Sequence, residues 1–282
     1  YGKLGRANTE LLFGQTWNPM FVTGCFPGTV SFNTGTPFQP FARNPQLKIT
    51  HHIGGLKVAA TAFSQRDYVS AGGSSLLRNS STPAFHLSAS FENKGDIETL
   101  AGVGASYQTL VPRLVTDMNF VANEKVSGYM TQAYFKAKTS KFTFKLEGNY
   151  GQNTYDVLGI SSFAIQSMDP NTDHREYLPI SSMSVWTDIH TNGNKVQVGI
   201  FGGYTKNLGA SEQILSVIGS RSNIDFVYRV SPRIVFNSGK MRFAFEAEYT
   251  TAGFGAYNNM GVVENATEVS NLRLLLAAYY FF

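Results

Sequence analysis

Glu246 and Glu248 come closest to a catalytic pair in this sequence. Two residues apart on an extended chain, they share a face at a spacing of about 7 Å, which suits paired carboxylates in glycoside hydrolysis. Histidines and acids also recur at His51-His52, Asp188-Ile189-His190 and Asp173-His174. His51 and His52 point to opposite strand faces, and none of these groups comes with an identifiable nucleophile or metal-ligand set. No Gly-x-Ser-x-Gly, Walker or dinucleotide motif is present. A single cysteine, Cys25, excludes an intramolecular disulfide and paired-cysteine metal sites. The expectation is a protein that is not an enzyme and uses no cofactor or metal, with an outer-membrane hydrolase as the lesser alternative.

Strands must carry these residues. No apolar run approaches the roughly 18 to 20 residues of a transmembrane helix, whereas period-two alternation recurs from end to end of the 282 residues. Twelve full strands are predicted at 9–16, 43–52, 56–64, 84–92, 99–109, 127–137, 141–150, 180–190, 195–204, 223–236, 241–250 and 268–282. Their connections alternate between long (17–42, 65–83, 110–126, 151–179, 205–221, 251–267) and short (53–55, 93–98, 138–140, 191–194, 237–240). Transmembrane barrels sort their loops this way, with short turns on one rim and long loops on the other. Residues 1–4 read as the end of a further strand and 5–8 as a turn. An even strand count then implies at least fourteen strands, with the chain beginning inside a single barrel domain.

Each strand has two unlike faces. Met241, Phe243, Phe245, Ala247 and Tyr249 oppose Arg242, Ala244, Glu246, Glu248 and Thr250; Phe142, Phe144, Leu146 and Tyr150 oppose Lys141, Thr143, Lys145, Glu147 and Asn149. Alternation alone does not say which face is inside. A barrel of fourteen or more strands is too wide for side chains to fill, so its lumen holds water and its apolar face meets lipid. The fold class is therefore all-β, a transmembrane antiparallel barrel of the bacterial outer membrane. Tyr107, Tyr129, Tyr150, Tyr204, Tyr228, Tyr249 and Tyr279 suit aromatic girdles. The last strand alternates through Tyr280 to a final Phe282, the pattern expected of a signal to the barrel assembly machinery. Net charge is +4 without a dense Lys/Arg run, which argues against nucleic acid as a partner.

Residues 18–42 are nearly free of charge and are expected to fold into the lumen as a constriction loop, with Phe21, Phe26, Phe32, Phe38 and Phe41 packing it against the wall. Selectivity is assigned to Arg43, Lys48, Lys57, Lys145, Arg229, Arg242 and Arg273, opposed by Glu147, Glu246 and Glu248. The cations outnumber the acids, which predicts passive diffusion of small hydrophilic solutes with mild anion preference, carboxylates included. A non-conducting structural or adhesive barrel, with 151–179 and 251–267 as contact loops, is the alternative.

The run Leu11-Leu12-Phe13-Gly14-Gln15-Thr16-Trp17, followed by Pro27, Thr29-Val30, Phe32, Pro37-Phe38, Arg43 and Gln46, resembles the DcaP-like porins over roughly residues 11–50. The resemblance implies a sixteen-stranded homotrimer admitting small anions such as dicarboxylates, with three to four strands and a signal peptide ahead of Tyr1. The chain departs from that pattern at Asn18-Pro19-Met20 and Cys25.

Overall fold

The computed structural model describes residues 1–282. The strands are β1 (Gly2–Arg6), β2 (Thr9–Trp17), β3 (Arg43–Ile53), β4 (Leu56–Phe63), β5 (Ala84–Lys94), β6 (Glu98–Leu110), β7 (Val126–Lys138), β8 (Phe142–Gln152), β9 (Phe163–Met168), β10 (Arg175–Pro179), β11 (Ser181–Thr191), β12 (Val196–Gly209), β13 (Ser216–Ile218), β14 (Ile224–Ser238), β15 (Met241–Tyr257) and β16 (Val263–Tyr280). One short helix, α1 (Ser75–Asn79), and a 3-10 turn at Thr154–Val157 interrupt them.

Thirteen strands form one antiparallel sheet in which each wall strand bonds to its neighbours in chain order; β9, β10 and β13 form a separate three-stranded sheet. Successive antiparallel neighbours need only a hairpin at one rim. Gly54-Gly55 makes one of three two-residue turns there, beside Ala7-Asn8 and Gly239-Lys240. Gly54 adopts φ +58°, and a Cβ on Gly55 would come within 2.8 Å of the Glu92 carbonyl oxygen, so the two glycines admit a turn that larger residues would strain. β1 and β16 are not paired with each other, so the wall is not closed into a ring.

The wall is inverted relative to a water-soluble barrel. On β15, Met241, Phe243, Phe245 and Tyr249 are exposed, while Ala244, Glu246 and Glu248 are buried. β8 repeats this, with Phe142 and Leu146 exposed and Thr143 and Glu147 buried. Apolar side chains left out of the interior on strand after strand need a lipid environment. Tyrosines mark one edge of the apolar band: Tyr107 pairs with Tyr129, the Tyr129 and Tyr150 rings are 5.9 Å apart, and Tyr228 and Tyr249 are 6.5 Å apart. Phe142 lies eight residues along β8 from Tyr150, about 26 Å at strand rise, which matches an apolar band of roughly 25 Å. Tyr279 does not join the girdle, because it pairs with Arg242 on the inner face.

The long rim differs from expectation in two places. Residues 251–257 and 263–267 are strand, paired from Thr251↔Ser270 to Tyr257↔Val263. The loop expected over 251–267 therefore shrinks to 258–262. Within 151–179 and 205–221 lie β9, β10 and β13, a cap above the wall. Phe163 and Tyr177 of that cap pack with Ala71, Leu76, Leu77, Leu110 and Val126 as a second small core.

Candidate functional site

Residues 18–42 leave the end of β2, cross the concave side of the sheet and return to β3. The Asn18 amide donates to the Ala42 carbonyl (2.9 Å), which ties the two ends of the loop together. Asn18 Nδ2 donates to Asn44 Oδ1 at 2.9 Å, and Asn18 Oδ1 accepts from the Met20 amide. Beyond this neck the loop is held by strands at the far end of the sheet, more than a hundred residues away.

Wall carboxylates take the loop's backbone donors. Glu246 accepts from the amides of Val30 (2.6 Å) and Ser31 (3.2 Å). Asp188 accepts from the Gly28 amide (3.3 Å), and Glu248 from Asn33 Nδ2 (2.7 Å). Wall cations take the loop's acceptors: Arg229 Nη1 donates to the Thr36 carbonyl (2.7 Å), Arg273 Nη2 to Ser31 Oγ (2.7 Å) and Lys145 Nζ to the Phe26 carbonyl (2.8 Å). Charge-assisted bonds of this kind are roughly twice as strong as neutral ones. Glu246 and Glu248, the pair that suggested hydrolysis, thus both accept from loop donors. Phe38 is fully buried against Phe201 (5.9 Å), in a cluster with Cys25, Tyr134 and Trp186. Phe21 and Phe41 meet edge-to-face at 5.2 Å, each also against Trp17, and Phe26 lies at the rim of that group, 5.6 Å from Phe21. Phe32 does not pack; it is 86% exposed beside the loop's anchors on β15 and β16.

The residues proposed from the sequence to line a pore fall into three groups. Arg229, Glu246, Glu248, Arg273 and Lys145 anchor the loop, with Glu147 fully buried in the wall near Cys25 and Trp186. Lys48 and Lys57 face an open cavity, and Arg242 sits toward the short-turn rim, bonded to Asn237 Oδ1 (2.8 Å). Arg43 is misplaced. It lies an odd number of residues from Lys48 and so on the opposite, outward face, where it pairs with Asp67 (2.7 Å) beside Trp17.

The sequence reading missed the best-buried ion pair. Arg233 on β14 makes bidentate bonds to Asp188 on β11 (2.7 and 3.0 Å), and His190 Nδ1 lies 3.0 Å from the same carboxylate. A Cβ on Gly28 or on Gly199 would come within 2.8 Å of the Arg233 guanidinium, so the two glycines leave room for it between loop and wall. The clue was parity: Arg229, Ser231 and Arg233 share one face of β14. Lys136 was missed too, although it continues the inward face of Met130, Gln132 and Tyr134.

Above the loop, the cap is locked by an arginine fork. Arg113 reaches Glu124 (2.8 and 2.9 Å) and Asp173 (2.5 Å), while Arg175 bridges Asp173 (2.9 Å) and Asp117 (3.0 Å). Burial opposes ionisation of Asp173, yet Arg113, the Asp117 amide and Arg175 hold its carboxyl down at about 2. Asp156, in the 3-10 turn, has no cation beside it; burial raises it to about 6 even though Gln108 and Gln65 donate to it. An acid whose folded pKa is raised favours the folded form below its unfolded pKa and loses that contribution as pH rises through the folded value. The Asp156 contact between the loops is therefore expected to weaken from about pH 4 to above pH 6. Protection of residues 154–160 against hydrogen exchange, taken relative to the intrinsic base-catalysed rate, should fall over that range, and Asp156→Asn should remove that fall.

No family model and no curated protein sequence matches the chain. Among solved structures, the outer-membrane protein OmpT of Vibrio cholerae aligns over 98% of this chain and 78% of its own, with 14% identity and a TM-score of 0.56. A porin refined at 1.8 Å aligns over 99% of this chain and 80% of its own, with 11% identity and a TM-score of 0.50. Together with the inverted wall, these likenesses identify the fold as that of the porin-type outer-membrane β-barrels.

Proposed function

We propose that the protein is an outer-membrane porin through which small hydrophilic solutes diffuse passively, with residues 18–42 narrowing the lumen and inner-wall lysines favouring anions. The observation that carries this reading is the division of charge across the lumen. On the β11–β16 side the carboxylates Asp188, Glu246 and Glu248 are engaged by the loop or by Arg233. On the β1–β7 side Lys48 and Lys136 face open space and form no ion pair. Uncompensated charge beside a low-dielectric wall sets ion preference at close range. Membership of the DcaP-like porins, a trimeric state and recognition of the Tyr280–Phe282 end by the assembly machinery belong to the same proposal.

The test is the zero-current potential of the purified protein in a planar bilayer under a salt gradient. An anion-selective potential is expected, and Lys48→Glu with Lys136→Glu should shift it to the cation side. Cation selectivity of the unaltered protein would remove the lysines from the account while keeping the pore. A folded, heat-modifiable barrel that never conducts would favour the structural or adhesive reading. One observation favours that alternative: Leu114, Val115, Phe120 and Val121 are exposed on the loop between β6 and β7, above the tyrosine band, where lipid chains do not cover them.

A further inference from the structure

The 3-10 turn Thr154–Val157 holds a buried acid and, next to it, both ends of the constriction loop. The Phe41 amide donates to the Val157 carbonyl (3.0 Å), and the Val157 side chain packs with Met20 and Met130 in a small buried cluster. Asp156 precedes Val157 and is 3% exposed. Gln65 Nε2 donates to its Oδ2 (3.1 Å) and Gln108 Nε2 to its Oδ1 (3.5 Å). The same Gln65 nitrogen lies 2.8 Å from Ser70 Oγ and 3.1 Å from Gln108 Oε1, so its two hydrogens are shared among three acceptors.

Nothing compensates the charge of an ionised Asp156. Gln65 and Ser70 reach the site from the loop between β4 and β5, and Gln108 from β6. A water-sized cavity of about 20 Å³ beside the carboxyl is lined from the constriction loop by Asn18 and Met20 and from β7 by Met130, and Tyr107 is its one other titratable residue. Charged groups close by are engaged or exposed. Asp67 pairs with Arg43, Arg66 is exposed, and Arg221 lies over the Tyr155 ring (4.0 Å); none of them acts on the Asp156 carboxyl. A protonated carboxyl costs far less to bury here than a carboxylate, and it adds an O–H donor. The turn is also strained at both flanks, because Asn153 (φ +52°) and Leu158 (φ +66°) adopt left-handed conformations. Its Thr154 end is fixed, with Oγ1 2.9 Å from Ser161 Oγ and 3.3 Å from Ser182 Oγ.

Resting on the porin reading above, we infer that this turn is a proton-operated latch on the constriction loop, shut while Asp156 is protonated and releasing Phe41 and Met20 when Asp156 ionises. Release swings the Asp156–Val157 end about Thr154 and puts the carboxyl in water, where it titrates as an ordinary aspartate near pH 4. In the shut turn burial raises the same acid to about 6. Between these two values each opening releases one proton, so the opening equilibrium rises about ten-fold per pH unit and levels off above. The far part of the loop stays on Glu246, Glu248, Arg229 and Arg273. Only the limbs near Met20 and Phe41 are let go, which makes the pore steady in acid and fluctuating near neutral pH.

The test is single-channel recording of the full-length protein in a planar bilayer from pH 4.5 to 7.5. The frequency of brief current steps is expected to rise about ten-fold per pH unit up to about pH 6 and then to level off. Asp156→Asn keeps an acceptor for Gln65 and removes the charge, so its frequency should stay at the acid level throughout. A frequency independent of pH in the unaltered protein, or a rise that persists in Asp156→Asn, would overturn the latch while leaving the pore intact. Should the folded protein not conduct, the porin reading fails by itself, and hydrogen exchange at the Phe41 amide, taken relative to its intrinsic rate, decides the latch. Protection of Phe41 that falls with pH in the unaltered protein but not in Asp156→Asn supports it. Protection that falls at residues 154–160 and holds at Phe41 overturns it.

Discussion

Excision of residues 20–40, with a short Gly-Ser link between Pro19 and Phe41, is expected to raise single-channel conductance about three-fold or more, because the narrowest section of a pore dominates its resistance. The wall should survive the change. Its hydrogen-bond ladders run from strand to strand without the loop, and the deleted residues touch it through side chains and loop backbone only. Heat-modifiable migration on gels checks that the barrel folds, and planar-bilayer recording checks the conductance. The excision also strips the loop's donors from Glu246, Glu248 and Asp188. Ion preference should change little, since Arg229, Arg273 and Lys145 are released from the loop together with these carboxylates and Asp188 keeps Arg233. An unchanged conductance in a folded variant would show that the loop does not restrict flow.

Arg233→Ala is expected to destabilise the folded barrel by about 3–5 kcal/mol, because it leaves a buried carboxylate without its partner. Asp188 is fully buried, and Arg233 is the only guanidinium bonded to it. His190 and the Gly28 amide remain as weaker partners. Urea midpoints in detergent micelles measure the loss. Replacing the pair together, Arg233→Met with Asp188→Leu, should recover most of the loss, since two apolar groups of similar volume leave no charge unpaired. Equal destabilisation by the single and double changes would mean that Arg233 acts through packing between Gly28 and Gly199 rather than through charge.

The wall and the contacts that hold its loop are not equally legible in the sequence. The twelve full strands, the stub before Thr9 and the sorting of turns to one rim followed from alternation and turn residues, because both are local properties of the chain. So did the inversion of the wall: once strands are many, the side of each that carries Phe, Leu and Val must face outward. Lys48 and Lys57 on the inner face were legible for the same reason, and Arg43 was misread only because its odd spacing from Lys48 was overlooked. The strand character of 251–257 escaped because Gly253 and Gly255 interrupt the pattern; pairing with 263–270 supplies what local propensity lacks.

The sequence by itself thus determined the strands, their order and which face of each meets lipid, because these depend on residues one to ten positions apart. It did not reveal which wall charges would hold the loop and which would stay free. Val30 meets Glu246 and Thr36 meets Arg229 across roughly two hundred residues of chain, and partners so distant leave no spacing to read. Only the register of the sheet sets Asp188 opposite Arg233 and leaves Lys48 and Lys136 without a carboxylate. Identical residue types on one inner face became anchors or free charges according to where the loop passes over the wall.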